Sequence, residues 1–277
     1  MSDAIVPLAG VVGTSVGHSR SPRLHRHWLA QQGLAGDYVP LHVGDDDLPQ
    51  VIRSLPKMGF VGVNVTIPHK VAVMRIADQI SDRAILIGAA NMLTFRDDGS
   101  VYADNTDGHG FLANLRDHAP DWSAQDGPAV VLGAGGAARA IVSALLDAGV
   151  PEIHVVNRTR PKAEALRAEF GSRIRVSDWV KAGNLLEDAA LVVNSTSLGM
   201  AGASEFRVPL DGLQAGTVVA DLVYTPLETQ LLRIARAAGC IPVDGLGMLI
   251  HQAVPAFERW FGTRPTIDEA TRAAIFP

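Results

Sequence analysis

The stretch Pro128-Ala129-Val130-Val131-Leu132-Gly133-Ala134-Gly135-Gly136-Ala137-Ala138-Arg139-Ala140 decides the fold class. Its apolar beginning predicts a strand, and its glycines predict a tight loop that opens a helix. In a dinucleotide-binding turn, Gly133 permits the sharp turn, Gly135 lets the backbone approach the phosphates, and Ala138 lets helix and strand pack closely. The free N–H groups at the start of the helix then face the anion. A glycine-rich turn alone is a weak signal, and here it indicates a dinucleotide-binding α/β domain.

The end of the next predicted strand indicates which dinucleotide binds. Residues 153–156 lead into Asn157-Arg158-Thr159-Arg160, where an NAD-binding fold carries an acid for the ribose 2′-hydroxyl. The sequence has no acid there, and two guanidinium groups suit a 2′-phosphate through charge-assisted hydrogen bonds. The pattern therefore favours NADP over NAD. The alternative is a solvated strand end in which Thr159 caps the next helix.

Short β-rich runs alternate with helical patterns along the chain, which predicts an α/β fold with mostly parallel sheets. We expect strands at residues 7–12, 38–43, 62–66, 92–95, 128–132, 153–156, 190–194, 217–222 and 240–243. We expect helices near residues 22–32, 46–56, 69–77, 107–118, 134–148, 161–170 and 227–238, with two more after residue 245. Residues 1–106 and 245–277 are predicted to form one α/β domain, and residues 107–244 a Rossmann-like domain.

The composition is that of an ordinary globular enzyme, with 277 residues, 47% hydrophobic and 19% charged. A net charge of −5 argues against a nucleic-acid partner. The single cysteine, Cys240, lies in an apolar run and predicts an inert thiol in a reducing compartment. Arg139 and Asp147 interrupt the most apolar long window, so no membrane partner is expected. We expect a cytoplasmic protein that is a monomer or a homodimer.

Two polar clusters interrupt the first domain near its predicted strand ends. In Gly17-His18-Ser19-Arg20-Ser21-Pro22, the hydroxyls of Ser19 and Ser21 can both donate to one carboxylate; the alternative is that Ser21 caps a helix. In Gly62-Val63-Asn64-Val65-Thr66-Ile67-Pro68-His69-Lys70, Lys70 follows a strand at the edge where α/β sheets bind ligands. The alternative there is a surface lysine on the first turn of a helix.

Two further clusters supply an amide and a carboxylate. Asn91 lies in Gly88-Ala89-Ala90-Asn91-Met92, and Asp107 lies in Ala103-Asp104-Asn105-Thr106-Asp107-Gly108, where a helix cap is the competing interpretation. Together with Lys70 they form a set that can grip and deprotonate a sugar-like alcohol. No cysteine and histidine cluster has ligand spacing, so no metal is expected.

In these motifs the chain resembles the shikimate dehydrogenase family over nearly its whole length. The remaining matching pieces are Asn194-Ser195-Thr196-Ser197-Leu198-Gly199-Met200, Asp221-Leu222-Val223-Tyr224-Thr225-Pro226-Leu227 and Gly245-Leu246-Gly247-Met248-Leu249-Ile250-His251-Gln252. The resemblance implies reduction of 3-dehydroshikimate to shikimate with NADPH. It implies that residues 1–106 and 245–277 bind the substrate and that residues 107–244 bind NADP.

The resemblance also implies a role for each matched position. Lys70 and Asp107 are the implied catalytic pair. The implied substrate-binding residues are Ser19, Ser21, Thr66, Asn91, Tyr224 and Gln252. The implied cofactor-binding residues are Gly133, Gly135, Gly136, Ala137, Asn157, Arg158, Thr159, Thr196 and Gly245.

The chain departs from the family pattern at two positions. Met92 stands where the family usually has a threonine, and His69 where many members have an aromatic residue. Neither replaces a catalytic group, but Met92 leaves the shape of the ring pocket open. The alternatives are a quinate/shikimate dehydrogenase or related paralogue and, from another class, a non-catalytic NADP-binding sensor.

Overall fold

The computed structural model describes residues 6–276. Its strands are β1 (Leu8–Gly13), β2 (Asp37–His42), β3 (Phe60–Val65), β4 (Gln79–Ile80), β5 (Met92–Phe95), β6 (Val101–Asp104), β7 (Ala129–Leu132), β8 (Ile153–Val156), β9 (Ile174–Ser177), β10 (Leu191–Asn194), β11 (Val218–Asp221) and β12 (Ile241–Val243). Its α-helices are α1 (Ser21–Gln31), α2 (Leu48–Ser54), α3 (Asp82–Ile87), α4 (Asp107–His118), α5 (Gly136–Ala148), α6 (Arg160–Phe170), α7 (Gln230–Ala237), α8 (Gly245–Phe261) and α9 (Glu269–Ile275). Short 3-10 helices lie at Val16–His18, Leu55–Met58, Ala72–Arg75 and Trp179–Leu185. Within the described residues, no helix is both long and apolar enough to span a membrane.

The chain divides into two compact units, Met1–Thr106 with Leu249–Pro277, and Asp107–Met248. Each unit contains one six-stranded sheet with its own apolar core. The domain boundary predicted at residue 245 is the first residue of α8, and the opening turn of this helix belongs to the second unit.

The sheet of the first unit has the strand order β2-β1-β3-β5-β6-β4. Strands β1, β2 and β3 run parallel, whereas β5 is antiparallel to both β3 and β6. The amino end of β5 therefore lies at the same edge as the carboxyl ends of β3 and β6. This edge is the one at which α/β sheets bind ligands.

The sheet of the second unit is parallel throughout, with the order β12-β11-β10-β7-β8-β9. This is the Rossmann order, in which the direction of winding reverses between the first strand, β7, and the fourth, β10. Strands β7 and β10 are buried at every position, as their apolar runs predict, and β10 ends in the buried polar residue Asn194. The crevice beyond the carboxyl ends of β7 and β10 is the expected place for a dinucleotide.

An aromatic cluster fills part of the core of the first unit, and His25 enters it from α1. The His25 ring is fully buried and stacks on Tyr38 with ring centroids 4.1 Å apart. Trp28, Phe257 and Trp260 surround it. Burial lowers the pKa of His25 to about 3, so this ring is neutral at physiological pH.

The helix predicted at residues 69–77 is wrong. Turns occupy residues 67–71, and only the 3-10 helix Ala72–Arg75 follows. Pro68 has no backbone N–H, and the β-branched residues Val71 and Val73 disfavour a helix, which accounts for the difference. The sequence pattern also missed β4, β6, β9 and α3, which are all short elements.

Candidate active site

The two serines of the first cluster lie at the start of α1. The helix begins at Ser21 itself, with Arg20 in the capping position and no side-chain capping bond. The alternative in which Ser21 caps the helix is therefore wrong. The Ser19 hydroxyl oxygen accepts a hydrogen bond from the Ser21 N–H at 3.3 Å, which holds the Ser19 side chain at the start of α1, the end of a helix that favours anions.

Lys70 lies in the turn that follows β3. The carbonyl oxygen of Thr66 accepts from the His69 N–H at 2.9 Å, and the carbonyl oxygen of Lys70 accepts from the Ala90 N–H at 2.8 Å. Lys70 is therefore not on the first turn of a helix, and that alternative is wrong. The backbone bond to Ala90 places the Lys70 backbone beside the residue that precedes Asn91.

His69, one of the two departures from the family pattern, is a buried support for this turn. Its Nε2 lies 2.8 Å from the carbonyl oxygen of Val43, and its Nδ1 lies 3.3 Å from the carboxylate of Asp45. Met92, the other departure, is packed in the core beside Tyr38 and Trp260. Its side chain belongs to the apolar cluster of the first unit.

Asn91 and Gln252 meet at the carboxyl edge of the first sheet. Asn91, only 2% exposed, precedes β5, and its Nδ2 donates to Gln252 Oε1 at 3.0 Å. The same Nδ2 donates to Thr106 Oγ1 at 2.9 Å, and Asn91 Oδ1 accepts from the Thr106 N–H at 2.8 Å. The structure thus joins two predicted residues that are far apart in the sequence.

Thr106 is a residue that sequence reasoning missed. It is fully buried, and its hydroxyl donates to the carbonyl oxygen of Gln252 at 2.8 Å while accepting from Asn91. Thr106 directly precedes Asp107 in the motif at residues 103–108, which was the available signal, but the sequence does not show that its hydroxyl is buried and hydrogen-bonded.

Asp107, Tyr224 and Gly245 lie in the second unit. Asp107 is the first residue of α4 and is buried, so it is a helical residue rather than a cap preceding the helix. Tyr224 lies in the loop after β11. At Gly245, a Cβ atom would lie 2.5 Å from the carbonyl oxygen of Leu222, so only glycine fits there.

The glycine loop has the geometry that a pyrophosphate requires. Gly133 directly follows β7 with φ of +112°, a left-handed conformation that favours glycine. Gly135 precedes the first residue of α5, and a Cβ atom there would meet nothing within 4 Å. Open space therefore lies beside the backbone where α5, with Gly136 and Ala137 in its first turn, begins. These residues fit the diphosphate of a dinucleotide.

The strand end at residues 157–160 provides one unpaired guanidinium group rather than two. Arg160 donates to Asp178 Oδ1 at 2.6 Å and to Glu164 Oε1 at 3.0 Å. Arg158 forms no ion pair within residues 6–276 and is exposed. Thr159 occupies the N-cap position of α6, as the capping alternative expects, but its side chain makes no capping hydrogen bond. Asn157 Nδ2 donates to the carbonyl oxygen of Thr159 at 2.8 Å, which orders this loop.

Thr196 lies beyond β10, across the point of strand-order reversal from the glycine loop. A Cβ atom at Gly133 would lie 3.1 Å from Thr196 Cγ2, so the two loops are adjacent. The Thr196 hydroxyl donates to Asn194 Oδ1 at 2.6 Å. The predicted cofactor residues of the second unit thus gather at the carboxyl edge of its sheet.

Three family profiles match the chain in order. They are the shikimate dehydrogenase substrate binding domain at residues 11–93, shikimate / quinate 5-dehydrogenase at residues 117–201, and the shikimate 5′-dehydrogenase C-terminal domain at residues 245–275. The chain belongs to the shikimate dehydrogenase family. A shikimate dehydrogenase (NADP(+)) of Cereibacter sphaeroides is 63% identical over 98% of this chain and 97% of its own.

Solved structures of family members share the fold over nearly their whole length. The Thermus thermophilus shikimate 5-dehydrogenase, in complex with NADP(H) and shikimate, has a TM-score of 0.84 at 38% identity and covers 97% of this chain and 98% of its own. A quinate dehydrogenase of Corynebacterium glutamicum in complex with NAD has a TM-score of 0.88 at 31% identity, over 96% of this chain and 97% of its own. The predicted two-domain α/β fold is confirmed.

Proposed function

We propose that this chain is an NADP-dependent shikimate dehydrogenase, an oxidoreductase that reversibly reduces 3-dehydroshikimate to shikimate with NADPH in aromatic amino-acid biosynthesis. The observation that carries the proposal is the polar cluster of Asn91, Thr106 and Gln252 on the edge to which the turn of Lys70 is hydrogen-bonded. A buried amide cluster at a ligand-binding edge suits a polyhydroxylated ring, because each ring hydroxyl needs a partner when water is excluded.

We assign the substrate to the first unit and NADP to the second. The first unit carries the residues proposed to bind the substrate carboxylate, Ser19 and Ser21, and those proposed to hold ring hydroxyls, Thr66, Asn91 and Gln252. The second unit carries the remaining proposed substrate residue, Tyr224. The proposed cofactor residues, all in the second unit, are Gly133, Gly135, Gly136, Ala137, Asn157, Arg158, Thr159, Thr196 and Gly245.

The proposed chemistry follows from where charge develops. NADPH, when bound, supplies the hydride that the C3 carbon of the substrate accepts. The Lys70 ammonium group stabilises the negative charge that builds on the ketone oxygen and donates the proton that completes the alcohol. In the reverse direction, the Lys70 amine takes that proton back. The Asp107 carboxylate accepts a hydrogen bond from a ring hydroxyl and so orients the carbon that reacts.

The open Gly135 backbone and the unpaired Arg158 support NADP as the cofactor. The start of α5 favours the diphosphate, and a guanidinium group free of carboxylates is the partner that a 2′-phosphate needs. Arg160 is not assigned to the cofactor site, because its guanidinium group already donates to Asp178 and Glu164.

The test is turnover with the proposed substrate. Purified protein mixed with NADPH and 3-dehydroshikimate should consume NADPH and form an equal amount of shikimate, identified by chromatography. Binding of NADP without any turnover of shikimate or quinate would instead support the sensor. The presence of both Lys70 and Asp107 argues against the sensor, because an inactive descendant loses its acid and base groups first.

The similarity in fold to a quinate dehydrogenase makes a quinate/shikimate dehydrogenase the second candidate function, and the kcat/KM values for shikimate and quinate distinguish the two. We also propose a cytoplasmic location from the single cysteine, Cys240. A lone cysteine cannot form a disulfide within the chain, and Cys240 is buried with its thiol pKa raised by burial, so the thiol is unreactive. A monomer or a homodimer remains the expected state, which light scattering can measure.

A further inference from the structure

At the carboxyl edge of the second sheet lies a buried carboxyl group that has no cationic partner among residues 6–276. Asp221 ends β11 and is only 1% exposed. Its Oδ2 accepts from the Thr229 hydroxyl at 2.7 Å, and its Oδ1 accepts from Asn194 Nδ2 at 2.9 Å and from the Val223 N–H at 3.1 Å. Buried carboxylates are costly unless they are fully hydrogen-bonded or paired, so this group requires an explanation.

The three donors belong to three different segments. Asn194 ends β10, and its Oδ1 accepts from both the hydroxyl and the N–H of Thr196, at 2.6 and 3.1 Å. Val223 directly precedes Tyr224. Thr229 precedes α7, and its hydroxyl oxygen accepts from the Leu232 N–H at 3.3 Å. One carboxyl group therefore ties together the loop of Thr196, the loop of Tyr224 and the start of α7.

In the part of the chain that the structure describes, the groups that donate to Asp221 are all neutral. From β10 it meets an amide, from its own loop an N–H, and from α7 a hydroxyl. The charged residues near the start of α7 point elsewhere, since Arg233 is exposed and Arg236 pairs with Glu228. Beside β11, Asp244 follows β12, and its carboxylate accepts from two N–H groups at the start of α8.

An ionised carboxylate accepts from all three donors at once and binds each of them more strongly than a neutral carboxyl group would. A proton on Oδ1 would face the donors Asn194 and Val223, and an amide in place of the carboxyl group would turn its NH2 toward one of the three. A proton on Oδ2 would face the Thr229 hydroxyl and would leave Oδ1 as a neutral acceptor, which binds the Asn194 and Val223 donors more weakly than a carboxylate oxygen does. Burial raises the pKa of Asp221 to about 6, so this change of state falls close to physiological pH.

We propose that Asp221 is a positioning residue of the cofactor site. Through Asn194 it holds Thr196, and through Val223 it holds the segment of Tyr224, in the arrangement that accepts the nicotinamide half of NADP; protonation of Asp221 loosens this hold. The inference rests on the proposed function, which places the 2′-phosphate at Arg158, after β8. A dinucleotide spans the point of strand-order reversal, so its nicotinamide half would face the loops after β10 and β11 on the other side. Asp221 acts through Asn194 and Val223 and does not contact the cofactor itself.

The test compares NADP⁺ with 2′-phospho-ADP-ribose, which is the same molecule without nicotinamide. Both carry the same phosphates, so the titration of the 2′-phosphate near pH ~6 affects both equally. Calorimetric titrations of the wild type should show NADP⁺ binding more tightly by about fivefold well above pH 6, and this ratio should fall toward one below it.

Two variants distinguish a role of Asp221 in positioning the cofactor loops from a role in thermal stability alone. Asp221→Asn should give a ratio close to one at every pH. Thr229→Val removes a donor to Asp221 and the cap of α7, but it keeps the path through Asn194. It should therefore lower thermal stability and keep the ratio at high pH. The pH at which its ratio falls should shift upward, because the lost hydrogen bond lowered the pKa of Asp221.

A wild-type ratio that does not change across pH 6 would overturn the proposal, as would a normal ratio in Asp221→Asn. If Asp221→Asn does not fold, the wild-type and Thr229→Val series decide alone. No substrate is present in these titrations. A failure of shikimate turnover would therefore count against the proposed function and leave this inference to be decided by binding.

Discussion

Arg158 is the residue on which the cofactor preference depends. Because its guanidinium group has no carboxylate partner within the described part of the chain, it can bind a 2′-phosphate without breaking an ion pair. Arg158→Ala should therefore weaken NADP⁺ binding by about 1.5–3 kcal/mol per charged hydrogen bond lost and leave NAD⁺ binding nearly unchanged. Calorimetric titration with each cofactor measures both effects.

Arg160→Ala is the matched control for this experiment. Arg160 is two residues away and carries the same charge, but Asp178 and Glu164 hold its guanidinium group. Its removal should change NADP⁺ affinity little. Equal losses in the two variants would mean that net charge alone, rather than a contact with the 2′-phosphate, sets the preference.

Lys70 carries the acid and base step. Lys70→Ala should lower kcat by about 10²- to 10⁴-fold, the usual effect of a lost proton-transfer group, with NADP⁺ affinity nearly normal. Steady-state kinetics and a separate NADP⁺ titration check the two parts. Lys57→Ala, at an exposed lysine of the same unit, should leave kcat unchanged. Near-normal turnover in Lys70→Ala would remove Lys70 from the mechanism.

At the scale of single residues, the sequence indicates which side chains carry chemistry but not which of them are buried or already paired. It singled out Asn91 and Gln252, which the structure joins. The resemblance assigned Arg158 and not Arg160 to the cofactor, but the local pattern of residues did not distinguish the two, because the partner of Arg160 at Asp178 is distant in sequence. It also gave Asp221 no role, because burial and its three donors become visible only when the strands are assembled.

Among the elements, strand β3 contains a glycine, Gly62, at which an added methyl group has no room. A Cβ atom at Gly62 would lie 1.9 Å from Trp260 Nε1 and 2.5 Å from the carbonyl oxygen of Leu93, which accepts the Trp260 N–H. Gly62→Ala should therefore destabilise the protein by about 1–3 kcal/mol, and by more if this hydrogen bond is lost. Urea unfolding gives the value.

Gly17→Ala is the control, because a Cβ atom there meets nothing within 4 Å and its φ is not positive. It should leave the urea midpoint almost unchanged. A Gly62→Ala variant as stable as Gly17→Ala would show that the packing of Trp260 against β3 is looser than described.

The elements of the second unit were predictable because they combine strong signals. Unbroken apolar runs gave β7 and β10, and the glycine loop gave the start of α5, all to within two residues. Strand β9 was missed because it is a short edge strand with Arg175 exposed in its middle. The helix predicted at residues 69–77 is replaced by the end of the turns at 67–71 and a 3-10 helix at Ala72–Arg75, because Pro68 and the β-branched residues Val71 and Val73 oppose a regular helix.

At the scale of the whole molecule, alternation of strands and helices predicted the α/β class but not the strand order. The reversal between β7 and β10, and the antiparallel β5 that brings Asn91 to the ligand-binding edge, depend on long-range pairing that no local pattern reveals. The assignment of substrate to one unit and cofactor to the other stays a prediction.

The preference between shikimate and quinate depends on the proposed substrate-binding residues and on the proposed function together. Quinate carries a hydroxyl on the carbon that bears the carboxylate, beside the proposed partners Ser19 and Ser21. Two serines that each donate to the carboxylate leave little capacity for this hydroxyl, and a buried unpaired hydroxyl costs roughly 1–3 kcal/mol. Met92 does not alter this expectation, since its side chain packs in the core.

The most direct measurement is kcat/KM for shikimate and for quinate, each with NADP⁺ and with NAD⁺. We predict a value for shikimate at least about tenfold above that for quinate at saturating NADP⁺, and a lower KM for NADP⁺ than for NAD⁺. Comparable values for the two substrates would contradict the shikimate assignment in favour of a quinate/shikimate dehydrogenase, and equal KM values for the two cofactors would contradict the role of Arg158.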